Sequence, residues 1–184
     1  MKIGKWIWAC TTAVLCIAAG CRYCQLNRQY PPPEIETYAH LQPVKYNDIE
    51  LVLNHSAFLQ EEEIKTVLIE ELEEGFTPKM IVLDVTVTNT AETEQTMDFT
   101  PFILESGAWK NAVHMMAFLR LNDGAKTAPT MTPILQPGES LTLRLPFLMM
   151  PSQFSERKWD AVEERSYELV LSLYPKKRSI LCDM

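Results

Sequence analysis

The chain has 184 residues, 47% of them hydrophobic and 22% charged, which is a globular composition and excludes a disordered chain. The net charge of −7 is unevenly spread: the first 33 residues carry Lys2, Lys5, Arg22 and Arg28 and no acid, so the remainder holds 24 acidic against 13 basic residues. A body of that charge repels phosphate backbones, which argues against nucleic acid as a partner.

The first element is KWIWACTTAVLCIAAGCRYC, residues 5–24, with no charge between 6 and 21. As a helix, that uncharged run extends about 24 Å at roughly 1.5 Å per residue, short of a hydrocarbon core of about 30 Å. Lys5 and Arg22 can snorkel outward, Trp6, Trp8 and Tyr23 suit the two interfaces, and Leu26 can prolong the apolar run. Three readings stay open. Residues 1–28 are a retained signal-anchor that spans the membrane. Alternatively AAGC, which is like a bacterial lipobox, marks Cys21 for acylation, although Ala18 stands where that pattern prefers leucine. In the third, a secretory signal is cut after the small residues Ala18-Ala19-Gly20. All three place the body outside the cytoplasm. Lys2 and Lys5 balance Arg22 and Arg28, so orientation rests on the N-terminal position of the segment.

Residues 29–43 read as a spacer. YPPPEIETY, residues 30–38, favours an extended, semi-rigid polyproline conformation that holds the rest of the chain off a bilayer. From 44 to 184 the periodicity is mostly two. IELVLNHSAF (49–58) puts Ile49, Leu51 and Leu53 on one face. MIVLDVTVTNT (80–90) is the cleanest strand, with Ile81, Leu83, Val85 and Val87 opposite Asp84, Thr86 and Thr88. TMDFTPFILES (96–106) is a strand interrupted at Pro101, with a turn at Gly107. AVHMMAFLRL (112–121) suits strand or helix. A Pro-Gly turn then precedes a strand with Leu141, Leu143 and Leu145 on one face, and YELVLSLYP (167–175) points Tyr167, Leu169, Leu171 and Leu173 inward. PKKRS, near the end, is a short basic patch at a strand end. About seven short strands from one chain segment predict an antiparallel sandwich.

QEEEIKTVLIEELEEGF (60–76) breaks the pattern, with Ile64, Val67, Leu68 and Leu72 at helical spacing and a stop signal at Gly75 and Pro78. Its other face holds seven glutamates against Lys65. The plain reading is a surface helix across an open sandwich edge, its acids solvated. The sharper one makes Glu70, Glu71, Glu73 and Glu74 a contact for a cell-envelope protein partner.

No constellation of residues points to catalysis, a cofactor or a metal. His40, His55 and His114 lack ligand spacing, the six glycines stand singly, and no Gly-x-Ser-x-Gly elbow occurs. Cys10, Cys16, Cys21 and Cys24 lie in or beside the apolar stretch, and Cys182 alone lies in the body, so the fold rests on its core and not on disulfides. Trp109 and Trp159 are core or rim anchors.

KMIVLDVTVTNTAE, followed by FTPFILES and LQPGESLTLRLPFLMM, resembles a bacterial extracytoplasmic immunoglobulin-like domain. With RYCQLNRQYPPP at the start, the chain is similar to the family called domain of unknown function 5028, related in style to domain of unknown function 4352. The likeness runs from about Val44 to Tyr174 plus the stretch after the apolar segment. It implies a membrane-anchored immunoglobulin-like β-sandwich of Gram-positive bacteria with no established activity, and carries over no catalytic residue. It favours the anchor over acylation of Cys21. The expectation is therefore a single-pass protein of the cell membrane whose extracellular sandwich carries one inserted acidic helix. Its role is expected to be non-catalytic, as a binding or scaffolding module; the alternatives are a lipoprotein acylated at Cys21 and an accessory subunit of a membrane complex.

Overall fold

The structure, a computed structural model, describes residues 3–31, 33–68, 77–124 and 129–184. It divides into two compact units, Met1–Glu34 and Ile35–Met184.

The first unit is helix α1, Ile3–Gln29, closed by Tyr30 N–H donating to Leu26 C=O at 2.8 Å. Trp8, Val14, Leu15 and Ile17 are exposed along it. Among the described residues no helix is both long and apolar enough to cross a membrane. The segment expected to span is thus a helix of 27 residues whose last two turns are polar, with Arg22, Gln25, Asn27 and Arg28. Length is sufficient and apolar content is the shortfall.

The second unit is an antiparallel β-sandwich. The strands in chain order are β1 (Glu34–Tyr38), β2 (Val44–Tyr46), β3 (Ile49–Phe58), β4 (Lys79–Asn89), β5 (Gln95–Thr96), β6 (Ile103–Ser106), β7 (Trp109–Ala112), β8 (Ile134–Leu135), β9 (Ser140–Met149), β10 (Glu168–Ser172) and β11 (Lys176–Leu181). One sheet has the order β2-β3-β4-β9, the other β1-β11-β10-β6-β7, and β5 pairs with β8. Short helices α2 (Glu61–Val67), α3 (Met115–Leu121) and α4 (Glu156–Asp160) join them.

Period-two alternation builds the core. Ile81, Leu83, Val85 and Val87 of β4 are fully buried, and so are Leu51 and Leu53 of β3 and Leu145 and Phe147 of β9. They share one cluster with Leu104, Leu169, Leu171 and Ile180 of the facing sheet. The outer residues Thr86 and Thr88 of β4 hydrogen-bond Thr142 and Ser140 of β9 at 2.7 and 2.8 Å. The Pro137-Gly138 turn forms as expected, Glu139 N–H donating to Gln136 C=O at 2.9 Å with Gly138 at φ +74°. A side chain there would strain the backbone. Buried Asn89 ties this turn to its own, its amide donating to Thr93 C=O (2.8 Å) and Leu135 C=O (3.0 Å).

Four expectations are corrected and one open reading, at 112–121, is resolved. The spacer stops short of 43, because Glu34–Tyr38 forms β1 at the edge of the five-stranded sheet, where the preceding prolines remove no ladder bond. The basic patch is β11, whose lysines and arginine find acids: Lys176 on Glu36 at 2.8 Å and Lys177 on Glu105 at 3.1 Å. Leu173 is 48% exposed, since β10 ends at Ser172. Residues 112–121 split into the end of β7 and α3, capped by His114 Nδ1 accepting from Ala117 N–H at 3.3 Å. Lastly, the helix expected over 60–76 is described only as α2, residues 69–76 lying outside the described residues, and α2 lies on a sheet face. Its Ile64, Val67 and the following Leu68 pack on Met80 and Val82 of the internal strand β4 and on Ala117 of α3, and Arg120 donates to Val67 C=O. Two apolar residues on the outer face of β4 recruit this second, smaller core.

Candidate functional site

The candidate site lies where the chain leaves β9 and crosses to β10. Residues 151–165 make that crossing through a 3-10 turn at Pro151–Gln153, then α4, then a second 3-10 turn at Val162–Glu164. Pro151 suits the first helical position, where no N–H is needed. Lys158 and Trp159 N–H both donate to Ser155 C=O at 2.9 Å, which turns Trp159 back toward Phe154.

An aromatic chain ties this crossing to the core. Phe58 meets Tyr167 edge-on at 6.0 Å, Tyr167 meets Trp109 at 6.2 Å, Trp109 stacks on Phe154 at 5.8 Å, and Phe154 meets Trp159 at 5.6 Å. The buried Tyr167 hydroxyl donates to Val162 C=O at 2.7 Å, and burial pushes it up to about 12. Trp109 and Trp159 are thus the anchors expected of them.

A cavity of about 330 Å³ opens against these rings, lined by Ala108, Trp109, Lys110, Gln153, Phe154, Lys158 and Arg165. Two of its polar side chains, Gln153 and Arg165, are fixed in place. Gln153 Oε1 accepts from Trp109 Nε1 and from Met150 N–H, each at 3.1 Å, so its amide NH₂ remains as donor. Arg165 donates through Nε to Ser106 Oγ (3.0 Å) and through Nη2 to Ser106 C=O (2.6 Å), and its guanidinium lies 5.8 Å from the Phe154 ring centre. Lys110 Nζ lies 3.2 Å from Glu105 Oε2, off the direction of a good hydrogen bond, while Lys177 bonds Oε1 at 3.1 Å. Burial pushes the Glu105 carboxyl up, but the two lysines outweigh it and hold it below the usual carboxylate range. Lys158 is exposed, with no ion-pair partner among the described residues. Among the described residues no carboxylate lines the cavity, although the same crossing carries Glu156, Asp160, Glu163 and Glu164.

A second cavity, about 270 Å³, lies past Trp159, where Lys79 sits 5.4 Å from the indole centre. Its cation is already paired with Glu163 at 2.8 Å.

None of the sequence-predicted site residues is among those lining the cavity. Cys21 is an exposed free cysteine on α1, as are Cys16 and Cys24. Glu70, Glu71, Glu73 and Glu74 lie outside the described residues; of the three described acids of α2, Glu61 and Glu62 pair with Lys65 at 2.8 and 3.0 Å, and Glu63 accepts from Gln60 N–H at 3.0 Å. Burial pushes the Cys182 thiol up to about 12. Among the described residues no group of three or more His, Cys, Asp or Glu could hold a metal ion. Sequence reasoning missed Lys110, Gln153, Phe154, Lys158 and Arg165. The available signal is a pair of adjacent aromatic-cation steps, Trp109-Lys110 and Lys158-Trp159, in an acidic body.

The family Domain of unknown function (DUF5028) matches residues 41–178. Among solved structures, the chain is similar to an uncharacterized beta-sandwich protein from Clostridium difficile 630, at 12% identity over 82% of this chain and 96% of that one, TM-score 0.48. It is also similar to a functionally unknown protein from Listeria monocytogenes EGD-e, at 10% identity over 78% and 80%, TM-score 0.49. A third is a conserved hypothetical protein from Bacillus anthracis, at 14% identity over 77% and 94%, TM-score 0.48. No curated protein matches the chain.

Proposed function

We propose that this protein, which belongs to the DUF5028 family, is a β-sandwich of the cell envelope, tethered to the membrane by its N-terminal segment, that binds a ligand without transforming it. The observation that carries the reading is the cavity beside Trp109. Donors from Gln153, Lys158, Lys110 and Arg165 share it, and Arg165 and Gln153 are held by hydrogen bonds before any ligand arrives. Such preorganisation favours recognition. Catalysis needs a base or nucleophile in addition.

An immunoglobulin-like arrangement is supported by Tyr167. Its hydroxyl reaches back to Val162 C=O from the head of β10 and its ring packs on Trp109, as in a tyrosine corner. Tethering rests on the uncharged run of 6–21 and the aromatic residues at its ends.

Two experiments test the proposal. Intact mass of membrane-fractionated protein separates the tethers: a complete chain is the anchor, and a chain beginning at Cys21 with added lipid mass is the lipoprotein. Recovery in the soluble fraction contradicts both. For binding, a photo-crosslinking residue in place of Ala108, an exposed lining position with no polar side chain, in the full chain irradiated in its own membranes, should give an adduct that the same residue at Thr86 does not. Identical patterns at the two positions contradict a ligand at this cavity.

A further inference from the structure

The geometry points to a phosphate group as the ligand of the Trp109 cavity, carried on a small molecule or at the end of a larger one and not repeated along a polyanion. This deepens the binding-module reading and rests on it. Four separate side chains offer donors to the one cavity: the Gln153 amide, Lys110, Lys158 and the guanidinium nitrogens of Arg165 that Ser106 leaves unoccupied. A carboxylate presents two oxygens in one plane and a single charge. A phosphate monoester presents three acceptor oxygens in a tetrahedral arrangement and nearly two charges, and so matches donors spread around a cavity. Arg165 supplies a fixed direction and the lysines supply charge. The half-buried Phe154, which lines the same cavity beneath the guanidinium, offers an apolar surface for the organic part of a monoester.

The charge of the whole domain sharpens this choice. Residues 34–184 carry 24 acids against 13 bases, a field that repels a long polyanion. Screening confines that field to about 10 Å at ordinary salt, whereas donors in hydrogen-bond reach act at contact. One phosphate therefore enters where a phosphate chain is turned away. Lys158 is the discriminating residue. Arg165 also holds Ser106, and Lys110 also faces Glu105, so substituting either disturbs structure. Lys158 is exposed and unpaired among the described residues.

The test is calorimetric titration of the full chain in neutral detergent with inorganic phosphate, glycerol phosphate and acetate, repeated for Lys158→Glu and Lys158→Arg. Saturable binding of phosphate or glycerol phosphate, with no saturation by acetate, is expected. Lys158→Glu should weaken it at least about tenfold, as loss of a charge-assisted hydrogen bond does, and Lys158→Arg should retain it. The ligand-free melting temperature should be the same in all three proteins. Co-sedimentation with phosphatidic acid vesicles, against phosphatidylcholine vesicles, assigns the source. Lys158-dependent pelleting identifies a lipid headgroup, and soluble phosphate binding without pelleting identifies a free ligand. Equal affinity for acetate, no saturable phosphate binding, or identical affinity in Lys158→Glu overturns the proposal. If phosphate fails while the crosslink at position 108 persists, the binding module stands and the phosphate assignment falls.

Discussion

Strand β4 and the crossing at 151–165 contribute to the same core by different physics. In β4, alternate residues are buried because the pleat points them there, and the neighbours β3 and β9 satisfy its backbone on both sides. The crossing has no ladder. Phe154 and Trp159 are held by ring contacts, a tight turn on Ser155 and the Gln153 bridge to Trp109. The strand's polar groups are spent on holding the sheet. The crossing leaves polar groups over, and these face a cavity. Rigid ladder below and surplus donors above are the usual division between scaffold and binding loop.

Substitution should separate the two regions. The largest effect is expected at Val85, 0% exposed at the centre of β4. Val85→Asp leaves a carboxylate buried and unpaired, which costs at least about 3 kcal/mol and is comparable with the stability of a domain. Loss of a cooperative thermal transition is the expected result, and an unchanged melting temperature would show that the register is wrong.

Tyr167 joins the regions, so its loss should be intermediate. Tyr167→Phe keeps the ring contacts and leaves Val162 C=O without its partner, a cost of about 1–3 kcal/mol. Chemical denaturation should show a lower midpoint with an unchanged slope.

Glu105 should contribute less, and in a pH-dependent way. Burial opposes its charge, yet Lys177 and Lys110 hold its pKa below the unfolded value. Its stabilisation is therefore present above the unfolded carboxylate range, about 4.3, and is lost as pH falls through the lower folded pKa. Melting temperatures from pH 7 to pH 3 should fall more gently for Glu105→Gln than for the parent, and parallel curves would contradict the assignment.

The smallest effect is chemical and leaves stability untouched. With its thiol pushed up to about 12 by burial, Cys182 should resist alkylation at pH 8 in the native protein. In urea it should react fully, and rapid native labelling would show that the end of the chain opens readily.

Legibility in the sequence followed the same divide. β3 and β4 were readable to within a residue because burial on one face imposes period two, as Leu51, Leu53, Leu83 and Val85 show. β1 and β11 were not. One follows prolines, and the other, KKRSIL, is charged where it faces solvent and its partner acids are remote in sequence. Residues 112–121 are apolar in both periods, and only the His114 cap decides where the helix begins. The cavity was the least legible part. Its two sides, Trp109-Lys110 and Gln153 to Arg165, are joined by a bond spanning 44 positions, and neither side carries a motif. The acidic run was the louder signal, and the four glutamates it nominated lie outside the described residues.

Amide hydrogen exchange on the full chain, with and without saturating phosphate, tests the division between scaffold and binding site most directly. Ligand-induced slowing confined to residues 106–110 and 150–165, with β3, β4 and β9 already slow and unchanged, is the predicted result. Slowing centred on another part of the sandwich, or no slowing anywhere, would contradict it.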